Sequence, residues 1–219
     1  MSAARPARKG AAPMVSERRD EILALAAKIF ADKGYASTTV REIADAAGIL
    51  SGSLYHHFDS KESMLDEIMH GFLDDTVAKY RATVAEGGDP LDVLKALVRE
   101  AFGSLGANPA ALAVMINEFN FLVQFPRFAY LREGADETER LWAGVIEDGM
   151  KTGVFRNDID PRMTYRFMRD TIWISVRWYR PNGKYSAEEI ADFYLELVLN
   201  GLATGGSTVE VRREHERAR

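Results

Sequence analysis

The 219-residue sequence has no cysteine. That excludes disulfides, thiolate zinc sites and cysteine nucleophiles, and it fits a reducing cytoplasm. No apolar run approaches the roughly 18 residues that a membrane span requires. The first residues hold no apolar segment of the kind a secretory signal needs. A cytoplasmic protein without membrane attachment is expected. No stretch alternates apolar and polar residues with period two, so no sheet is expected. Catalytic signatures are missing as well: there is no P-loop, no dinucleotide glycine fingerprint, no H-E-x-x-H and no G-x-S-x-G. With four histidines and no thiol, neither a metal site nor a cofactor is expected. An enzyme is therefore not the expectation.

What remains is a chain with 47% hydrophobic residues, enough to bury a core, and a formal net charge of −5. Its charge is unevenly spread. Residues 1–19 carry Arg5, Arg8, Lys9, Arg18 and Arg19 against Glu17 alone. Residues 1–15 read as a disordered basic arm able to reach phosphates or a minor groove; a merely solubilising tail is the alternative. Apolar residues then recur at helical spacing. A first helix covers 16–34, with Ser16 as its cap and Gly34 as its stop. A second starts after Thr39, whose T-x-x-E pairing with Glu42 is a capping box. A third covers roughly 51–57, and Ser60 caps a long fourth that runs to about 86. Asp89-Pro90, Asn108-Pro109 and Asp160-Pro161 open three more. Others span 127–152 and 186–203, and residues 205–219 read as a flexible tail. The fold class is all-α, with about nine helices.

The segment TTVREIADAAGILSGSLYHHFDSKE, residues 38–62, joins two short helices through a glycine turn. That is a helix-turn-helix, whose second helix enters a major groove with its N-terminal residues toward base edges. Those residues are Ser51, Gly52 and Ser53. They are small, so the backbone comes close to the duplex. Leu54 and Phe58 must face the core, which leaves Tyr55, His56 and His57 toward DNA, where such residues usually meet phosphates. Lys61 opens the next helix, a place that favours a phosphate.

The string L-Y-x-H-F-x-S-K-E, with Thr39, Arg41, Ile43, Ala44, Ala47 and Gly48 ahead of it, closely resembles the TetR family of bacterial repressors. The resemblance implies that Thr39, Arg41, Tyr55 and Lys61 contact DNA. Arg41 is then the candidate for guanine, whose O6/N7 edge suits its fork, with a phosphate contact as the alternative. It also implies two domains: a DNA-binding domain over 16–62 and a helical ligand-binding and dimerisation domain over 63–204. A homodimer on a palindromic double-stranded operator follows, because protein and site share a two-fold axis.

One helix in the larger domain is unusual. On an ideal helix at about 100° per residue, Arg162, Arg166, Arg169, Trp173, Arg177 and Arg180 share one face. Like charges at such spacing repel unless something negative meets them. Three readings stay open: a solvated face, ion pairs with a neighbouring helix or the partner subunit, or a channel for an anionic effector. Guanidinium forks grip phosphates and an indole stacks on a flat ring, as a coenzyme A thioester would require. The runs at 49–58, 126–130 and 165–183 resemble the actinobacterial TetR repressors of steroid and cholesterol ring catabolism, a group relieved by acyl-CoA thioesters. That resemblance implies Arg166, Arg169, Trp173 and Arg177 at the nucleotide part, with Met115, Phe119, Phe121 and Leu122 toward the acyl part. Plain core packing is the alternative for each of those four. A sensor of fatty acids or hydrophobic drugs is the alternative for the whole domain.

Overall fold

The computed structural model describes residues 12–200. Residues 1–11 of the basic arm, the tail over 205–219 and the last helix beyond Asn200 lie outside the described residues. Helix α1 (Ala12–Lys33) begins four residues before Ser16, so Ser16 is not its cap. Pro13 falls in the first turn, where a missing N–H costs nothing. Helix α2 (Val40–Ala46) and the one-turn α3 (Ser51–Leu54) follow. The sequence had suggested a third helix to residue 57. Beyond Leu54 the chain tightens instead, with His57 N–H on the Leu54 carbonyl at 2.9 Å, a three-residue turn rather than α-helix.

Helix α4 (Lys61–Glu86) is opened by Ser60, which accepts from the Ser63 N–H at 3.1 Å. Its 26 residues extend about 39 Å, far enough to serve two cores. Met64 and Leu65 pack with Ile22, Phe30, Ile43, Leu54 and Phe58 in the DNA-side bundle. Phe72, Thr76 and Tyr80 are buried farther along, in the larger bundle.

That bundle consists of α5 (Pro90–Ala107), α6 (Pro109–Leu122), α7 (Ala129–Thr152), α8 (Pro161–Ile174) and α9 (Ala187–Asn200). A single 3-10 turn (Pro126–Phe128) leads into α7. The three X-Pro starts fall where the sequence placed them. Helix α5 packs on α9, α4 and α8 on α7, and α6 on α1. The last of these joins the two bundles directly.

Helix α8 does not continue to Arg180. It gives way at Ile174 to a 3-10 turn (Ser175–Arg177). Ser175 donates its hydroxyl back to the Thr171 carbonyl at 3.0 Å, a bond that bends helices. The row of six therefore ends at Trp173, and Arg177 and Arg180 leave its phase. Among the described residues there is no strand, and no helix is long and apolar enough to cross a membrane.

Candidate nucleic-acid interface and effector cavity

The DNA-side geometry is fixed by local bonds. Thr39 Oγ1 accepts from the Glu42 N–H at 3.3 Å, and the Glu42 carboxylate takes the Thr39 N–H at 2.8 Å. Lys33 pairs with the same carboxylate. The lysine contact first, then the bonds that the Thr39 N–H and the Thr39 hydroxyl donate to the carboxylate, hold the Glu42 carboxyl down at about 2. The turn into α3 needs a glycine: Gly48 sits at φ +66°, in the left-handed region. From there Ile49 donates to the Ala44 carbonyl at 3.0 Å.

This frame presents a compact polar face. Thr39, Arg41, Gly52, Tyr55 and His56 are exposed, and Ser51, Ser53 and His57 half-buried. Leu54 and Phe58 are buried, as the spacing requires. Arg41 stands 3.8 Å from Asp45, a loose pairing that leaves the guanidinium free to extend. Lys61 is more committed. Its ammonium donates to the Tyr35 and Thr38 carbonyls, each at 2.8 Å, and lies 4.3 Å from the Tyr35 ring centre. One of its three donors is left for a phosphate.

Two arginines of the N-terminal basic excess are used internally. Arg18 donates to the Ala47 carbonyl, and Arg19 covers the Phe58 ring at 4.3 Å while pairing with Glu67. Sequence reasoning missed Leu50. It is the residue before α3, makes no side-chain cap, and is 80% exposed beside Ser51. Its apolar side chain at a polar face was the available signal.

The two bundles are braced at three places. The Tyr35 N–H, in the turn after α1, donates to Glu118 of α6 at 3.1 Å. Arg127 pairs with Asp66 of α4 at 2.9 Å. Tyr130 donates to the same carboxylate at 3.2 Å and stacks on His70.

The larger bundle contains a cavity of about 720 Å³ between α4, α6, α7 and α8. Of the eight residues tied to an effector, Arg169, Trp173, Met115 and Phe119 line it. Four others do not. Arg166 turns to Glu139 of α7 at 3.2 Å, and Arg162 reaches the same carboxylate at 3.8 Å. Both border a neighbouring depression of about 490 Å³, and Asp170 belongs to both spaces. Arg177 follows the end of α8 and is exposed. Phe121 points outward against Phe125, and Leu122 is core. The arginine row thus divides: ion pairs for Arg162 and Arg166, a cavity wall for Arg169, solvent for Arg177 and Arg180.

Arg169 pairs with Asp170 at 2.8 Å and lies 5.6 Å from the Tyr165 ring centre. Burial raises the Tyr165 phenol to about 12, against the pull of Arg169, so it stays neutral in the cavity wall. Phe72, Leu131 and Tyr165 also line the space. They were not anticipated, because nothing in their local spacing separates them from ordinary core. Among the described residues no group of three His, Asp or Glu side chains gathers as a metal site.

Two family models match separate parts of the chain. Residues 22–68 match the family model of the tetR family of bacterial regulatory proteins, and residues 87–202 match the tetracyclin repressor-like C-terminal domain. The chain is 53% identical over 189 residues to the HTH-type transcriptional repressor KstR2 of Rhodococcus jostii, covering 86% of this chain and 93% of that one. The solved structure of the ketosteroid transcriptional regulator KstR2 of Mycobacterium tuberculosis superimposes with a TM-score of 0.82 at 45% identity, over 86% of this chain and 96% of that one. AibR, solved with isovaleryl coenzyme A and operator DNA, shares the fold with a TM-score of 0.73 at 23% identity, over 82% and 97% of the two chains. The helix-turn-helix at 40–54, the helical bundle behind it and these matches carry one conclusion: the chain belongs to the TetR family of bacterial transcriptional repressors and is not an enzyme.

Proposed function

We propose that this repressor binds a palindromic operator as a homodimer and releases it when an acyl-CoA thioester of steroid catabolism enters the cavity. The carrying observation is the pairing of Arg169 and Trp173 on the wall of a largely apolar 720 Å³ space. An apolar volume with one flat indole and one guanidinium, paired with Asp170 on the same wall, suits a ligand with an apolar end and an anionic, ring-bearing end that competes for Arg169. The adjoining depression brings Arg162 and Arg166 beside Asp160 and Asp170, and both guanidiniums also reach the Glu139 carboxylate. A phosphate would have to draw these arginines away from those carboxylates. The names of the KstR2 relatives point to ketosteroid regulation, and AibR accepts an acyl-CoA in the same fold.

A free fatty acid is the second reading, because Arg169 alone could hold one carboxylate inside apolar walls. Calorimetry separates them. Medium-chain acyl-CoAs should bind while free coenzyme A and the free acids do not. Binding of the acids alone would reverse the order of the two readings.

On the DNA side, Ser51, Gly52 and Ser53 face base edges, and Arg41 reads guanine or grips phosphate. Tyr55, His56, His57, Thr39 and Lys61 meet the backbone. Leu50 adds an apolar contact suited to a thymine methyl. Dimerisation uses α8 and α9. Phe167 is 70% and Phe193 67% exposed, and Met163, Ile174, Leu197 and Val198 extend the apolar face. A row this apolar on two helices marks a protein surface awaiting a partner. The dimer sets two α3 helices about 34–36 Å apart, one turn of duplex. Met115, Ile116 and Phe119 of α6 touch the cavity, and Glu118 between them holds the Tyr35 N–H. A ligand that displaces α6 therefore pulls on the turn that sets α2 and α3. The protein acts in the cytoplasm, at the nucleoid.

A further inference from the structure

Helix α4 serves both bundles, and two of the three braces between them end on one of its residues, Asp66. Met64, Leu65, Ile68 and Met69 are buried along one side of its first turns. Asp66 and His70, one turn apart, meet the 3-10 turn and the start of α7 instead. The Asp66 carboxylate accepts from Arg127 Nε at 2.9 Å and from the Tyr130 hydroxyl at 3.2 Å, and His70 Nδ1 stands 3.2 Å from it. The Asp66 backbone carbonyl also takes the Tyr130 hydroxyl, at 3.2 Å, and lies 3.1 Å from His70 Nδ1. The His70 and Tyr130 rings stack with centroids 3.5 Å apart. Phe128, between Arg127 and Tyr130, is buried and anchors the turn that carries them. Burial first, then the Asp66 charge, pushes the Tyr130 phenol up, so it stays a donor.

The remaining links are thinner. Tyr35 meets Glu118 through one bond at 3.1 Å, and Leu73 meets Gly134 by apolar contact alone. Arg81 pairs with Glu137 near the far end of α4, beyond the DNA-side core. A single hydrogen bond leaves an element free to turn about it. Donors converging on one carboxylate, one of them a guanidinium, fix position and direction together.

We propose that Asp66 is a positioning residue for operator binding: its carboxylate is the pivot that fixes the angle between the DNA-side bundle and the sensor bundle. The Tyr35–Glu118 bond is then the free end of the same joint, and a displaced α6 swings the reading helix about Asp66. This rests on the DNA-side bundle reading a palindrome, and not on what fills the cavity. Two reading helices must fit their grooves at one fixed separation, so a loose pivot weakens specific binding. Phosphate contacts on random duplex tolerate the looseness.

The test uses the full-length protein, whose lack of cysteine allows spin labels at introduced sites. Lys28→Cys on α1 and Glu147→Cys on α7 place one label on each bundle at exposed positions. Labelled chains are mixed with excess unlabelled chain, so the distance read lies within one chain. Pulsed dipolar spectroscopy should give a narrow distance distribution with Asp66 in place and a broadened one in Asp66→Asn, which keeps the size and one acceptor oxygen but drops the charge. A palindromic duplex selected by the wild type from a random library serves as the operator. Its affinity should fall about tenfold in Asp66→Asn, the loss expected of a weakened charge-assisted bond, with binding to random duplex unchanged. Tyr130→Phe removes one donor and keeps the ring stack. It should show the same pattern at smaller amplitude, and it decides the matter should Asp66→Asn lose its helical circular dichroism. Distributions as narrow in both variants as in the parent, or a loss equal on operator and random duplex, would overturn the pivot. If the wild type selects no palindrome, the operator reading falls and the distance distributions alone decide the pivot.

Discussion

The DNA-reading bundle and the sensor bundle share one helix, α4, and are built by opposite rules. In the first, the decisive bonds are local: Thr39 with Glu42, Ser60 with Ser63, Gly48 at its turn. Each functional side chain stands on the outside of a frame that its immediate neighbours set. In the second, the functional surface faces inward and is assembled from Phe72, Met115, Thr138 and Arg169, which lie on four different helices. A face can be read from spacing; a cavity depends on which helices meet. The difference also sorts the consequences of mutation. Changes in the sensor wall should alter the response to effector and leave operator affinity in place, and changes on the DNA face should do the reverse.

The largest expected departure is Arg169→Ala. It removes the cavity's one lining cation and a charge-assisted contact worth about 1.5–3 kcal/mol, so effector affinity should fall by roughly ten- to a hundredfold. Gel shifts without effector should be unchanged. Retained response to the active thioester would remove Arg169 from the site. Gly134→Ala tests the same wall by a different route. A Cβ there would stand 2.5 Å from Leu73, a cavity residue on α4, and would drive that side chain toward the ligand space. Weaker effector binding with intact operator binding is the expected pattern in titrations. Glu118→Ala attacks the connection itself. Operator and effector should each still bind, but the ratio of operator affinities with and without effector should shrink by about tenfold, within the usual range of a coupling free energy. Unaltered coupling would show that the Tyr35–Glu118 bond does not transmit.

How much was legible follows the same divide. Leu54 and Phe58 could be assigned to the core because both are large and apolar among small or polar neighbours, and the three X-Pro starts fixed helix beginnings. The arginine row was legible as an oddity, not as a site. Its division among Glu139, the cavity and solvent depends on α7 lying alongside and on Ser175 ending the helix. Neither is encoded in the spacing of the arginines. Lys61 was placed at a helix start, but its two carbonyl partners come from residues 26 and 23 positions earlier.

On the DNA face the effects should be smaller and sequence-dependent. Leu50→Ser replaces an exposed apolar tip with a hydroxyl beside Ser51. If Leu50 meets a thymine methyl, the variant should lose about 1 kcal/mol of discrimination at one base pair, read by competition against single-base operator variants, with binding to random duplex unchanged. Arg41→Ala should relax preference at a different base pair. A uniform loss on every sequence would instead mark Arg41 as a phosphate contact, and the salt dependence would then flatten by about one ion.

The smallest effect is the one that tests whether the DNA face is locally self-supporting. The Glu42 carboxyl is held at about 2, below its ordinary 4.5, by Lys33 and by the Thr39 cap. A depressed carboxyl contributes stability that is complete above the ordinary value and lost as pH falls through the depressed one. The window is therefore pH 4.5 down to about 2. Because the group is exposed, screening keeps the contribution small. Glu42→Gln keeps a side-chain acceptor for the Thr39 N–H but discards the charge. Its thermal midpoint should lie slightly below that of the wild type at neutral pH, with the gap closing as both are titrated through the window. Operator affinity at neutral pH should fall with the midpoint only if the cap also sets the angle of α2 to α3. An unchanged affinity would show that Gly48 and the buried Leu54 suffice to orient the reading helix.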